Sequence, residues 1–83
     1  MVKEYYSLAM EIQRKVIEAG QFMTIEYHAH KHGDFYGDNH PFFIFCLYGN
    51  QNGDVIITLD SEASDAMNRK EYERAIEFIR RHQ

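Results

Sequence analysis

The chain has 83 residues, of which 45% are hydrophobic, and a formal net charge of −4. This length allows one domain, residues 1–83, and the hydrophobic share excludes a generally disordered chain. The 13 acidic residues outnumber the 9 basic ones, which argues against a nucleic-acid partner because such binding depends on clustered Lys and Arg.

Residues 3–19 have the periodicity of an amphipathic helix. Tyr5, Leu8 and Ile12 recur at helical spacing, which predicts one buried stripe. Gly20 follows directly, and it predicts the end of the helix because glycine readily adopts the left-handed conformation found there.

Residues 21–31 change to an alternating pattern, which predicts a strand. Glu26 and His28 lie on its polar side, and Tyr27 lies on the opposite side. Residues 32–41 contain two glycines, an asparagine and the single proline, so they predict a loop or wide turn.

Residues 42–50 and 54–60 predict a β-hairpin. The first segment is apolar on both faces, which is typical of a central strand. Asn52-Gly53 between them predicts a two-residue turn, because both turn positions need a positive φ.

Residues 61–82 predict a second helix, on an apolar stripe that includes Ala75 and Ile79. Asn68 with Glu71 three residues later resembles a capping box, which predicts that the main helix begins at Asn68 and that 61–67 form a separate turn of helix. The order α-β-β-β-α predicts an α+β fold, a three-stranded antiparallel β-meander with two helices packed on one face.

A two-residue turn at Asn52-Gly53 would place Cys46 opposite Leu59, and paired residues share a face. The helix-covered face would then carry Phe42, Ile44, Cys46, Tyr48, Val55, Ile57 and Leu59. The open face would carry Phe43, Phe45, Leu47, Ile56 and Thr58, with Thr24, Glu26 and His28 from the first strand. A one-residue slip would exchange the two sets and still leave large apolar groups on both faces.

An uncovered apolar face on a small domain is typical of a contact surface. The sequence therefore predicts a small non-catalytic interaction or regulatory protein, without a cofactor, that binds a protein partner or itself as a homodimer. The predicted contact residues are Phe43, Phe45, Leu47 and Ile56, with Glu26 and His28 on the rim. The competing interpretation is that the N-terminal segment or the loop 32–41 folds over this face.

Four of the five histidines fall in one short stretch: His28, His30, His32 and His40. Histidines two residues apart on a strand project from the same face, and zinc is bound by three or four such side chains. The alternative function is therefore a zinc-binding protein that uses these four residues. The competing interpretation is a run of solvent-facing histidines beside a flexible loop, or a pH-sensitive rim.

The element order also resembles the double-stranded RNA-binding domain. Gly37-Asp-Asn-His40 is similar to the Gly-x-x-His element between that family's first two strands, which implies contact with the RNA minor groove. That family begins its last helix with a lysine-rich motif for phosphates, whereas residues 61–67 here contain Glu62 and Asp65. RNA binding is the third hypothesis, and the charge opposes it.

The sequence also predicts a cytoplasmic protein that does not enter a membrane. The longest apolar run, Phe42 to Tyr48, is far shorter than a membrane span. No apolar signal region follows the N-terminal residues, and the single Cys46 excludes an intramolecular disulfide, which is typical of a reducing compartment.

Overall fold

The computed structural model describes residues 4–28, 41–49 and 53–82. Along the chain they form α1 (Glu4–Ala19), β1 (Met23–His28), β2 (Phe42–Leu47), β3 (Val55–Asp60) and α2 (Asp65–Arg81). The strands form an antiparallel sheet in the order β1-β2-β3, and both helices pack on one face of it. This is the α+β fold that the sequence predicts.

The buried side of α1 is the predicted stripe. Tyr5, Leu8, Ile12 and Val16 are all at most 9% exposed and lie in the core. Gly20 follows the helix with a φ of +68°, a left-handed conformation that costs glycine nothing. The helical periodicity and the glycine that ends the helix were therefore sufficient to predict the position of α1.

Helix α2 does not begin at the predicted cap. Its N-cap is Ser64, whose hydroxyl accepts a hydrogen bond from the Met67 N–H at 3.2 Å. Asn68 is instead buried, and its side chain accepts from the Asp60 N–H at 3.0 Å and donates to the Asp60 carbonyl at 2.9 Å. The capping-box prediction is wrong because the Asn68 amide satisfies a strand rather than its own helix.

The pairing of β2 with β3 also differs from the predicted register. Cys46 lies opposite Ile56, whereas the two-residue turn would have placed it opposite Leu59. The pairing of β2 with β3 is therefore displaced by three residues. Because side chains alternate between the two faces, a displacement by an odd number exchanges the faces of one strand relative to the other. Strand β3 keeps its predicted faces, so β2 is the strand whose faces are exchanged.

Two glycines permit the longer connection between β2 and β3. A Cβ on Gly49 would lie 2.2 Å from the Gly53 carbonyl oxygen, so the two backbones approach more closely than any other residue allows. Gly53 has a φ of +84°, and the Gly49 N–H donates to Asp54 Oδ1 at 3.2 Å. Residues 50–52 lie outside the described residues, and the predicted turn at Asn52-Gly53 falls partly on them.

The predicted exposure of three contact residues is therefore wrong. Phe43, Phe45 and Leu47 are 6%, 0% and 1% exposed and form the centre of the core. Phe42, Ile44, Cys46 and Tyr48, which were predicted in the core, lie on the open face. The observed arrangement is favoured because two phenylalanines and a leucine bury more apolar surface than phenylalanine, isoleucine and cysteine would.

The face assignment can be tested with two neighbouring positions. Phe45→Lys should lower the free energy of unfolding by more than about 3 kcal/mol, because it places a charge in the core. Ile44→Lys should cost less than about 1 kcal/mol, since this position faces solvent beside Glu26 and surface changes are usually small. Urea unfolding followed by circular dichroism measures both, and equal losses would contradict the assignment.

The register can be tested with an engineered disulfide. Ile56→Cys should form an intramolecular bond with Cys46 on mild oxidation, because directly opposed residues lie within disulfide range. Leu59→Cys should leave both thiols free, since its side chain faces the helices. Titration of free thiols distinguishes the variants, and a bond to position 59 instead of 56 would restore the two-residue-turn register.

Candidate functional site

The sheet face opposite the helices carries an apolar surface. The Tyr48 N–H donates to the Phe22 carbonyl at 3.2 Å, which extends the β1–β2 ladder by one pair beyond the strands. Phe22 is 81% exposed and Ile56 is 53% exposed, with the β2 side chains partly exposed between them. We call this surface the open-face patch; it comprises Phe22, Phe42, Ile44, Cys46, Tyr48 and Ile56.

One corner of the open-face patch is held by ring stacking. The His28 ring lies parallel to the Phe42 ring, with centroids 4.5 Å apart and planes 4° apart. Its Nε2 lies 3.1 Å from Glu26 Oε2. Both Glu26 and His28 are exposed at the margin of the patch, where the sequence placed them, and the two contacts fix the orientation of the imidazole.

Within residues 4–28, 41–49 and 53–82, the charged side chains on this face of the three strands are carboxylates. Glu26 lies on this face of β1, and Asp60 lies on the same face of β3. The three strands contain no Lys or Arg. The face therefore presents apolar side chains with an acidic margin, a combination that favours a basic partner.

The site residues predicted from the sequence fall into two groups. Ile56, Glu26 and His28 are exposed on the open face. Phe43, Phe45 and Leu47 are part of the core, and contact with a partner through them would require unfolding. The open-face side chains of β2 were missed as contact residues, although the unbroken apolar run of this strand already indicated large groups on both faces.

The histidine cluster is only partly described. His28 lies at the end of β1, while His30, His32 and His40 lie outside the described residues, as does Gly37 of the RNA-binding resemblance. Within the ranges 4–28, 41–49 and 53–82, no group of three or more His, Cys, Asp or Glu side chains could hold a metal ion. The zinc site and the RNA-binding element remain predictions from the sequence.

The outer edge of β3 is covered by side chains of α2. The Thr58 N–H donates to Glu71 Oε1 at 3.2 Å, and Asn68 binds both backbone groups of Asp60. Unpaired backbone groups at a sheet edge are a template for another strand. On this side of the sheet, polar side chains of α2 already bind three of them: the Thr58 N–H and both backbone groups of Asp60.

Three tyrosines surround Phe43 where α1 meets β1 and β2. The ring centroids of Tyr5, Tyr6 and Tyr27 lie 5.9, 6.1 and 4.8 Å from that of Phe43. Burial raises the pKa of Tyr5, and the neighbouring phenols of Tyr27 and Tyr6 raise it further. The Tyr5 phenol is therefore neutral at physiological pH, and the three rings extend the core towards the surface beside β1.

No helix within the described part of the chain is long and apolar enough to cross a membrane. Comparison of the chain with family models, with curated proteins and with solved structures finds no match.

The contact between Asn68 and β3 can be tested by deletion. Asn68→Ala should lower the free energy of unfolding by about 1–3 kcal/mol, because it leaves two backbone groups of Asp60 without that partner. Glu73→Ala, on the exposed side of the same helix, is the control and should change stability little. Equal stability of the two variants in urea unfolding would contradict a structural role for Asn68.

Proposed function

We propose that this chain is a non-catalytic protein-interaction module whose open-face patch binds a protein segment that combines apolar side chains with Lys or Arg. The observation that carries the proposal is the apolar open face with the Glu26 carboxylate exposed at its margin. Contiguous apolar patches on small domains mark contact surfaces, and an acidic margin selects for basic groups.

The composition of the patch supports binding rather than catalysis. Phe22 and Tyr48 supply aromatic contact area at one end, and aromatic side chains dominate the energy of protein interfaces. At the other end, stacking holds His28 against Phe42, so little side-chain freedom remains to be lost there on binding. The patch therefore has aromatic rings at both ends, and the pair of rings at the His28 end is already oriented by stacking.

The charges also argue against a second copy of the chain on this same face. Two open faces in contact would bring Glu26 and Asp60 of one copy towards the carboxylates of the other. Like charges brought together at an interface disfavour the complex. A partner with Lys or Arg around an apolar segment would remove this cost, and its affinity should fall as salt increases.

The experiment first crosslinks the partner to the open-face patch and then measures how tightly the partner binds. A photo-crosslinking amino acid at position 56, in cells that express the chain, identifies proteins in contact with the patch. A captured protein is purified and titrated by calorimetry against the unchanged chain and against Ile56→Lys. We expect Ile56→Lys to weaken binding by about tenfold or more, because it removes an apolar contact and adds a repelling cation.

Glu73→Gln is the matched control for charge. It also changes the net charge by one unit, but it lies on the exposed side of α2 away from the sheet. We expect Glu73→Gln to bind as the unchanged chain does. The proposal is refuted if Ile56→Lys binds equally well, if affinity is independent of salt, or if the crosslinker captures only a second copy of the chain.

A further inference from the structure

We propose that two copies of this chain pair through the outer edge of β1, antiparallel and about a two-fold axis at Ile25, so that the two sheets become one. This interface is separate from the open-face patch and does not depend on the function proposed for that patch. The occupant is a second copy of the same chain, because β1 can pair with itself in a register that sets apolar side chains against each other and keeps the two Glu26 carboxylates apart.

The first observation is the direction of the β1 backbone groups. The Tyr48 N–H donates to the carbonyl of Phe22, the residue directly opposite, so Phe22 directs its backbone groups towards β2. Along an antiparallel strand, successive residues direct their backbone groups alternately towards the neighbouring strand and away from it. Met23, Ile25 and Tyr27 therefore direct their N–H and C=O groups away from β2. Within the described residues, no group bonds to this outward row.

The second observation is the difference between the two edges of the sheet. On β3, Asn68 and Glu71 occupy the backbone groups of Asp60 and Thr58. The sequence of β1 contains neither Lys nor Pro, the residues that commonly protect an edge from strand addition. Among the described residues, side chains of α2 bind three backbone groups on the β3 edge, and none binds the outer edge of β1.

The third observation is that apolar side chains are exposed on α1, on its side away from α2, and on the helix-facing side of β1. Tyr6, Met10 and Ile17 recur along one side of α1 and are 46%, 49% and 73% exposed. They lie on the side away from α2, because Glu4 on the other flank of α1 pairs with Arg69. Tyr6 and Tyr27 both contact Phe43, and Ile25 and Tyr27 are 38% and 53% exposed on the helix-facing side of β1. The β1-side surface comprises Tyr6, Met23, Ile25 and Tyr27.

Pairing about Ile25 matches this surface with itself. Ile25 would lie against Ile25 of the second copy, and Met23 against its Tyr27, which are the apolar and aromatic cross-strand pairs that stabilise sheets. On the opposite face, Glu26 would lie against Thr24 of the second copy rather than against another carboxylate. A β1 pair centred on Glu26 would instead set the two Glu26 side chains against each other.

The experiment measures the oligomeric state of the full untagged chain by sedimentation equilibrium and native mass spectrometry. We expect a dimer. Thr24→Glu should raise its dissociation constant about tenfold, because it creates two opposed carboxylate pairs. Thr24 is exposed on β1, so the variant should fold, and its thermal unfolding by circular dichroism checks this.

Charge reversal makes the test specific to the register. The double variant Thr24→Glu with Glu26→Lys should restore the dimer, because each Glu at position 24 then faces a Lys at position 26 of the other copy. Ile56→Lys, on the far strand of the sheet, should leave the dimer unchanged, although it is expected to weaken binding at the open-face patch. The two proposals can therefore fail separately.

Three results would overturn the β1 interface. The first is a chain that stays monomeric up to its highest soluble concentration. The second is a dimer that Thr24→Glu does not weaken while Ile56→Lys does, which would place the contact on the open face. The third is a double variant that remains as dissociated as Thr24→Glu alone, which would exclude the two-fold at Ile25.

Discussion

The structure depends on one constraint: β2 is the central strand and carries large apolar side chains on both faces. Two helices on one side of the sheet cover only half of them. Burial of Phe43, Phe45 and Leu47 gives the core its largest side chains, and the remaining β2 side chains must then stay on the open face. The exposed patch is thus a direct consequence of how this core is filled. The register of the two-residue turn would also leave large apolar side chains of β2 exposed, although different ones.

The helices and the faces of β1 and β3 could be predicted from the sequence because each depends on a local period. The stripe that includes Leu8 and Ile12 is repeated often enough to identify α1, and alternation in β1 places Glu26 outward whatever its neighbours do. The face of β2 could not be read in this way, because alternation carries no information in a strand that is apolar at every position.

The two remaining errors have the same physical origin. Asn52-Gly53 and the Asn68–Glu71 spacing are local signals, and in both places contacts with residues outside the motif determine the structure. Close approach of Gly49 to Gly53 sets the connection between β2 and β3, and Asn68 satisfies Asp60 on a strand rather than its own helix. Sequence patterns record such partners only as residue types, without their positions in space.

The asymmetry between the two edges also limits how far strand addition can proceed. An exposed edge on both sides of a sheet would allow each added chain to offer a new edge to the next, which leads to open-ended fibrils. Here Asn68 and Glu71 bind the backbone of β3 at Asp60 and Thr58, so pairing through β1 would use the edge that no side chain of the described residues occupies. The side chains that anchor α2 to β3 would therefore also act as a terminator of growth, and their loss should turn a closed assembly into an aggregating one.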